Sequence, residues 1–353
     1  MKCIQIQASR RYPVFIEAGL LDRSGALLRE RSGAETACIV SGELVDALYG
    51  DRLEASLNAA GFRVLRFRHP SGEQYKNLET YAALLDFLAR EGLGRSDLLI
   101  SLGGGVTGDL TGFAAATYQR GLDYVQIPCS LLAMVDSSVG GKTAVDLPAG
   151  KNLAGCFWQP LAVLCDPSLL ETLPAEELRC GAAEVVKYAV LGDESLFEKL
   201  ERDGIAAACA EETIARCVRI KRDLVEEDEF DRGSRRLLNL GHSFGHALES
   251  CSGYSLLHGQ AVAIGLAMAA RAAAARGVCP PETAERIAAL LTLMGLPTET
   301  GYSADRLLEA LLRDKKRRGE TLSLILPETL GRCRIEPVPF SELEDWLRAG
   351  GAK

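Results

Sequence analysis

The first half of the chain alternates short apolar runs with amphipathic stretches. Short apolar runs bounded by turn residues are typical of buried strands. They predict strands at Cys3–Gln7, Val14–Glu17, Thr36–Val40, Arg63–Phe67, Leu98–Leu102 and Tyr124–Ile127, and one more apolar run, Ala162–Cys165, closes this half of the chain. Apolar positions at helical spacing predict helices at Leu44–Ala60, Leu78–Glu91 and Thr107–Thr117. Strands separated by helices of this length indicate βαβ units and a parallel sheet.

From about Glu176 the spacing of apolar positions becomes helical. It predicts helices at Glu176–Val190, Glu194–Arg202, Glu211–Glu226, Arg236–Ser250, Gly259–Arg276, Glu282–Met294 and Ala304–Arg313. Two strand-like runs, Leu322–Leu326 and Arg332–Glu336, flank Gly331 and predict a hairpin. We therefore expect an α/β nucleotide-binding domain over residues 1–170 and an all-α C-terminal domain over residues 171–353, with the active site between them.

Composition narrows the class of protein. A length of 353 residues fits about two domains, and a net charge of −8 argues against a nucleic-acid partner, which needs a basic face. No apolar run reaches the ~20 residues of a membrane span, and no signal peptide is visible. The eleven cysteines are scattered, without a Cys-x-x-Cys pair. They predict reduced thiols in a cytoplasmic enzyme that has no membrane partner.

Histidine is scarce, yet three of the four histidines fall within a short stretch. His242 and His246 are spaced i and i+4, on one helix face, and His258 precedes the next predicted helix. A cluster in a histidine-poor chain favours a metal or catalytic site over three satisfied polar groups. The glutamate of a His-Glu-x-x-His helix is absent, so peptide hydrolysis is not predicted.

Glu184 and Lys187 are spaced i and i+3 on an otherwise apolar predicted helix. An isolated pair of this kind can be a weak helical ion pair. Burial of both charges on an apolar face is costly without partners, which favours a functional role. One carboxylate and two imidazoles would form a three-ligand site with an open position, as catalytic zinc sites do.

Glycine-rich turns mark two further candidate sites. Gly103 to Asp109 follows an apolar strand and opens a helix, so backbone amides can approach a pyrophosphate; the alternative is a tight strand-to-helix turn. Lys142 follows Gly140-Gly141, and Lys151-Asn152 follows Gly150. These donors suit phosphate and hydroxyl oxygens, although glycine turns with solvated lysines would look the same. The first glycine of a P-loop is missing, which disfavours a nucleotide triphosphatase.

Taken in order, the motifs resemble the 3-dehydroquinate synthase family from Ser71 through Gly331. The matching segments are Glu73–Lys76, Gly103–Asp109, Arg120, Asp136–Thr143, Lys151–Asn152, Glu184–Lys187, Asn239–Ala247, His258 and Asp314–Lys316. The resemblance implies a dehydroquinate-synthase-like fold with NAD and Zn²⁺ or Co²⁺ as cofactors.

The activity implied by the resemblance converts 3-deoxy-D-arabino-heptulosonate 7-phosphate into 3-dehydroquinate and phosphate, in the shikimate route to aromatic amino acids. It comprises transient oxidation by NAD, β-elimination of phosphate, re-reduction and intramolecular aldol closure. Positioning of the reacting carbons is expected to contribute much of the catalysis. A homodimer is also implied, in which Arg120 reaches the phosphate of the neighbouring subunit.

The resemblance assigns roles to individual residues. Glu184, His242 and His258 would bind the metal. The cofactor set would be Glu73, Lys76, Gly104, Gly105, Val106, Asp109, Cys129, Ser130, Asp136, Lys142, Lys151 and Asn152. The substrate set would be Arg120, Lys142, Asn152, Lys221, Arg235, Asn239, His246, Lys315 and Lys316. The catalytic set would be Asp136, Lys142, Lys187, Lys221, Asn239 and His246.

The chain departs from the family pattern at four places. Ser41-Gly42-Glu43 replaces a frequent Asp-x-Asn, Cys129-Ser130 replaces two threonines, Asp146 replaces an Asn and Asp231 replaces a Glu. Three alternatives remain: a related cyclase acting on another sugar phosphate, a polyol oxidoreductase of the same fold, and a nucleotide-binding homologue without turnover. Lys221, Asn239 and His246 follow the dehydroquinate pattern, and this favours a 3-dehydroquinate synthase over a related cyclase.

Overall fold

The computed structural model describes residues 1–315 and 320–353, with the backbone alone at residues 313–315. The chain divides into two compact units. The first contains Met1–Leu173 and Lys221–Phe230, and the second contains Pro174–Ile220 and Asp231–Lys353. This division differs from a single boundary at residue 170, because the chain returns to the first unit after Ile220.

Most of the described strands follow apolar runs of the sequence. They are β1 Lys2–Gln7, β2 Arg11–Ile16, β3 Thr36–Gly42, β4 Arg63–His69, β5 Leu98–Gly103, β6 Asp123–Pro128, β7 Lys142–Leu147, β8 Gly150–Phe157, β9 Ala162–Cys165, β10 Thr321–Thr329 and β11 Arg332–Pro339. In the described part of the chain, β1-β2-β9-β6-β5-β3-β4 form one sheet in that order.

Most neighbouring strands of this sheet are parallel, as predicted, but β1 and β2 pair antiparallel. The link between these two strands is too short for the crossover that a parallel pair needs. The chain passes from β3 to β4 on one side and then to β5 on the other. The carboxyl ends of β3 and β5 therefore flank a topological switch point, where α/β sheets bind ligands.

The helices of the first unit cover the faces of the sheet. They are α1 Ser24–Arg29, α2 Glu43–Val45, α3 Asp51–Ala59, α4 Leu78–Arg90 and α5 Gly105–Thr117. A π-helical segment, Asp46–Gly50, separates α2 from α3 inside the single helix that was predicted there. Val40, Leu99, Leu110 and Tyr124 belong to the buried core between sheet and helices.

The hairpin of β7 and β8 was not predicted. The two strands pair antiparallel, with Lys142 opposite Phe157 and Val145 opposite Ala154. Most residues of β8 are exposed or half-buried, so the segment lacks the alternation of apolar and polar positions that indicates a strand. Lys142 and Lys151, which the sequence places after two separate glycine turns, therefore lie on the same hairpin.

The second unit is mainly helical, although a two-stranded hairpin within it departs from the all-α domain that was predicted. Its helices are α6 Ala175–Gly192, α7 Glu194–Ala208, α8 Glu211–Glu227, α9 His242–Cys251, α10 His258–Ala275, α11 Pro281–Leu293, α12 Ala304–Lys315 and α13 Leu343–Ala349. The end of α8 lies in the first unit. Strands β10 and β11 form the predicted hairpin around Gly331. Among the described helices, none has the length and apolar composition needed to cross a bilayer.

The prediction of one helix over Arg236–Ser250 was wrong. A 3₁₀ turn covers Ser234–Asn239, and α9 begins only at His242. Gly241 between them has a φ of 79°, a left-handed conformation that interrupts a right-handed helix and favours glycine. This break makes His242 the first residue of α9.

Candidate active site

The glycine turn of the first unit lies at the switch point of the sheet. Strand β5 ends at Gly103, and α5 begins at Gly105 after Gly104 as its N-cap. A side chain on Gly104 would lie 3.4 Å from Ser130 Oγ, and one on Gly105 would lie 3.2 Å from Ser137 Oγ. The first turn of α5 therefore carries backbone amides at a crowded sheet edge, an arrangement suited to an anionic ligand.

Lys76 is the centre of a charged cluster beside this turn. Its Nζ donates to Asp109 Oδ2 at 2.5 Å and to Asn152 Oδ1 at 2.6 Å. Asn152 has a left-handed backbone, and its amide donates to Asp146 Oδ1 at 2.7 Å. The predicted cofactor residues Lys76, Asp109 and Asn152 are thus brought together. Asp146, one of the departures from the family pattern, holds the hairpin residue in place.

The pKa values of Lys76 and Asp109 are both raised, but for different reasons. Burial lowers the pKa of Lys76, but the carboxylates of Asp109, Glu73 and Asp146 outweigh it and raise that pKa above its usual value. Burial raises the pKa of Asp109, and Lys76 opposes this shift only in part. Lys76 therefore stays a cation at neutral pH. Lys151 Nζ lies 3.7 Å from Glu73 Oε1, which adds a second cation nearby.

Lys221 and Asp136 form a second charged contact in the first unit. Lys221 Nζ donates to the Asp136 carboxylate, and to the Asp136 backbone carbonyl at 2.8 Å. Lys221 is buried, whereas Lys142, at the start of β7, is exposed. The family resemblance placed these three residues in one set, and the structure shows a direct contact between Lys221 and Asp136.

Glu184, His242 and His258 lie together in the second unit. One ligand atom from each residue lies within 4.8 Å of the others. His242 Nε2 and His258 Nε2 are each 3.4 Å from Glu184 Oε1. A carboxylate and two imidazoles are ligands that Zn²⁺ and Co²⁺ accept, and three protein ligands leave a coordination position open. The predicted metal set therefore fits a divalent cation.

Close helix packing brings these three residues together. A Cβ on Gly259, the second residue of α10, would lie 2.2 Å from the Cα of Cys180 on α6. Cys180 precedes Glu184 by one helical turn, so this contact sets the separation of His258 and Glu184. A Cβ on Gly265 would lie 2.1 Å from the Gly241 carbonyl oxygen, so α10 also approaches the start of α9 closely.

We predict that Gly259→Ala separates α6 from α10 and weakens metal binding. Overpacking of a tight contact typically costs about 1–3 kcal/mol, and here the obstacle is backbone that cannot rotate away. Gly301→Ala is the matched control, since its Cβ would meet nothing within 4 Å. Metal content after gel filtration and urea unfolding measure the effect. Full metal content in Gly259→Ala would show that this contact does not set the ligand spacing.

Charged partners surround Glu184. It is almost completely buried, and Lys187 Nζ lies 2.6 Å from its Oε2. Burial would raise the pKa of Glu184, but Lys187 and the two histidines hold it well below the usual value. Burial lowers the pKa of His258, and hydrogen bonds to Glu184 and Glu249 raise it more, to about 10. Without a bound cation, the cluster is thus held together by ion pairs.

A second layer of contacts orients both histidines. His242 Nδ1 lies 3.1 Å from the carbonyl oxygen of Leu240, and His258 Nδ1 lies 3.4 Å from Glu249 Oε1. Such partners fix which ring nitrogen faces a metal. Glu249 is a residue that the sequence reasoning missed. The only sequence signal for it is a charged residue that follows two apolar ones in an amphipathic helix.

The other predicted residues of the second unit whose side chains are described lie on α6, α9 and the turn before α9. His246 is exposed, and its ring centroid lies 5.6 Å from that of His242 and 6.5 Å from that of His258. It is therefore near the metal ligands without belonging to their group. Lys187 and Arg235 are buried, and Asn239 is half-buried. The side chains of Lys315 and Lys316 lie outside the described residues.

Three further predicted residues of the first unit are Cys129, Ser130 and Arg120. The Cys129 thiol is buried and donates to the Ile127 carbonyl at 3.5 Å, while Ser130 Oγ accepts from the Ala133 amide at 3.3 Å. Burial raises the pKa of Cys129, so it is a neutral thiol turned toward its own strand. Arg120 is exposed, with a φ of 64°, at the end of a 3₁₀ turn after α5.

Solved structures share this architecture. A 2-deoxy-scyllo-inosose synthase solved with carbaglucose-6-phosphate, NAD⁺ and Co²⁺ aligns with a TM-score of 0.88 at 25% identity, over 98% of this chain and 99% of that one. A 2-epi-5-epi-valiolone synthase from Streptomyces hygroscopicus with NAD⁺ and Zn²⁺ aligns with a TM-score of 0.88 at 29% identity, over 98% of both chains. The chain has the dehydroquinate-synthase-like fold.

Sequence comparison narrows this class to one family. Profiles described as 3-dehydroquinate synthase N-terminal and C-terminal match residues 66–180 and 181–317. A 3-dehydroquinate synthase of Enterococcus faecalis is 43% identical over 99% of this chain and 100% of that protein. One from Pelobacter propionicus is 45% identical over 94% of each. The chain belongs to the 3-dehydroquinate synthase family.

Proposed function

We propose that this protein is a carbon–oxygen lyase that converts 3-deoxy-D-arabino-heptulosonate 7-phosphate into 3-dehydroquinate and phosphate. The observation that carries the proposal is the cluster of Glu184, His242 and His258 in a chain whose whole length matches the family. NAD would be held at the glycine turn and by the Lys76 cluster. Zn²⁺ or Co²⁺ would be held by the three clustered ligands.

When bound, the cation would act as a Lewis acid on a substrate oxygen, and NAD would accept and return one hydride in each turnover. The residues of the chain bind and orient. Lys142, Lys221 and Arg235 are cations suited to the phosphate and carboxylate of the substrate. Buried Lys221 and Arg235 are better fixed than exposed Lys142. Asn239 offers a neutral hydrogen-bonding group to a hydroxyl.

His246 and Lys187 flank the proposed metal position and are suited to proton transfer or charge stabilisation. His246 is exposed, so its ring can exchange protons with solvent. Lys187 Nζ lies 2.6 Å from Glu184 Oε2, which places an amino group beside the proposed metal position. We assign His246 to proton relay and Lys187 to stabilisation of negative charge that develops on the substrate.

One assay tests the activity. Purified protein is supplied with NAD, Zn²⁺ or Co²⁺ and the heptulosonate 7-phosphate. We expect dehydroquinate and phosphate in equal amounts, with no net NADH. Dialysis against a chelator should abolish turnover, and the added cation should restore it. Turnover of a different sugar phosphate alone would identify a related cyclase. Net NADH formed from a polyol would identify an oxidoreductase. Either result would overturn the proposal.

We further propose a cytoplasmic homodimer. All eleven cysteines are free thiols, which suits a reducing compartment. Arg120 is exposed at a turn whose left-handed backbone projects it from the end of α5. By resemblance to the family, it binds the phosphate held by a second copy.

A mixture of two inactive variants tests the role of Arg120 in a dimer. Arg120→Ala and His242→Ala should each be inactive alone. If Arg120 acts on the neighbouring subunit, a refolded equal mixture contains heterodimers with one intact site each. Activity should then recover to about one quarter of the wild-type value, because half of randomly paired two-fold dimers are mixed. Absence of recovery, with dimers verified by light scattering, would place Arg120 in the site of its own subunit.

A further inference from the structure

Glu249 lies two helical turns after His242 on α9 and belongs to the same face. Only 3% of its surface is exposed, and its Oε1 lies 3.4 Å from His258 Nδ1. A buried carboxylate is costly unless it is paired. The position of Glu249 therefore requires a partner of the kind that His258 provides.

The two ring nitrogens of His258 face different carboxylates. Its Nε2 lies 3.4 Å from Glu184 Oε1, on the side of the ligand cluster, while its Nδ1 faces Glu249. A carboxylate on Nδ1 holds the proton there and leaves the Nε2 lone pair for a cation. His242 is oriented differently, through the neutral carbonyl of Leu240. The two histidines thus differ in the charge of the group that contacts Nδ1, a neutral carbonyl for His242 and a carboxylate for His258.

We infer that Glu249 is a positioning residue of the metal site, which holds the His258 ring so that its Nε2 faces the cation. The inference rests on the proposed function only in requiring that a divalent cation binds at Glu184, His242 and His258. Glu249 itself is not a ligand, since its contact is to the far nitrogen of His258.

Cobalt binding to the whole protein, freed of metal, tests this inference. Co²⁺ affinity is measured by competition with a chromophoric chelator, and the ligand field by the visible absorption of bound Co²⁺. Glu249→Ala should lower the affinity roughly 10–100-fold and shift the visible bands, the effect typical of losing such a partner. Glu249→Gln keeps the shape and an acceptor oxygen but loses the charge, so its affinity should fall by a smaller factor.

Glu176→Gln is the matched control. Its Oε1 accepts a hydrogen bond at 3.1 Å from Gln260, two residues after His258, so it removes one nearby negative charge without touching a histidine. Its Co²⁺ affinity should stay within about twofold of the wild type, because exposed charges interact weakly. If Glu176→Gln and Glu249→Gln lose Co²⁺ affinity equally, the effect comes from overall charge and the inference is overturned.

The outcomes separate this inference from the proposed function. Wild-type protein that binds no Co²⁺ would overturn both. Wild-type binding with unchanged affinity and spectrum in Glu249→Ala would overturn the role of Glu249 alone. If circular dichroism shows that Glu249→Ala does not fold, the test rests on Glu249→Gln. Unchanged Co²⁺ affinity in that variant would then overturn the inference.

Discussion

Glu184→Gln is expected to abolish metal binding and to destabilise the metal-free protein. The substitution removes one of three ligands, so metal affinity should fall by more than the roughly 100-fold that loss of an outer partner can cause. It also leaves Lys187, whose side chain is 1% exposed, without the carboxylate oxygen that now lies 2.6 Å away. Removal of one partner from a buried ion pair typically costs about 3–5 kcal/mol.

A double variant separates the two effects. Glu184→Gln/Lys187→Met replaces the buried ion pair with groups of similar size and less charge, so most of the lost stability should return. Metal binding should not return, since the ligand is still missing. Urea unfolding in the presence of a chelator measures stability without the contribution of bound metal. Metal content by mass spectrometry measures the site.

An exposed pair provides the control for this experiment. Glu344 and Arg348 lie one helical turn apart on α13, with a distance of 2.6 Å between their charged atoms. Glu344→Gln should change the free energy of unfolding by less than about 1 kcal/mol, as is usual for exposed pairs. One equivalent of tightly bound metal in Glu184→Gln would remove Glu184 from the ligand set.

The sequence predicted the elements whose apolar pattern is strong. Strand β5 was predicted to within one residue of its observed end, because Leu98–Leu102 is a buried apolar run. The hairpin of β7 and β8 was missed, since its exposed residues show no alternation. The start of α9 was misplaced because helical spacing continues through Gly241, while its left-handed backbone is a property of the folded chain.

The proposed metal site was predictable only in part. The spacing of His242 and His246 indicates one helix face, and an acid among apolar residues draws attention to Glu184. Nothing in the spacing alone distinguishes His246 from His258 as a ligand; resemblance to the family supplied that choice. Glu249 could not be predicted, because its contact with His258 depends on the packing of α10 against α9, for which Gly265 leaves room.

The Lys76 cluster supports the second large prediction. Lys76→Met is expected to destabilise the protein at neutral pH by about 3–5 kcal/mol, because it leaves the Asp109 carboxylate partly buried without its cation. It should also weaken NAD binding, since the proposed cofactor contact is lost. Asp109→Asn removes the opposite charge and leaves Lys76 with Asn152 and two nearby carboxylates, so it should cost much less.

The loss of stability in Lys76→Met should depend on pH, because it involves the ionisation of Asp109. The pKa of Asp109 is already raised by burial, although Lys76 opposes the shift, and loss of Lys76 should raise it further. A carboxyl group whose pKa is higher in the folded state loses stability as pH rises from its unfolded value through its folded value. The loss of stability in Lys76→Met relative to the wild type should therefore be small near pH 4 and grow toward neutrality.

In Lys76→Met/Asp109→Asn, which lacks both charges, the growth of this loss with pH should disappear. Urea unfolding of the four proteins across this pH range measures both effects, and a deficit in Lys76→Met that stays constant with pH would contradict the assignment of Asp109 as the unpaired charge.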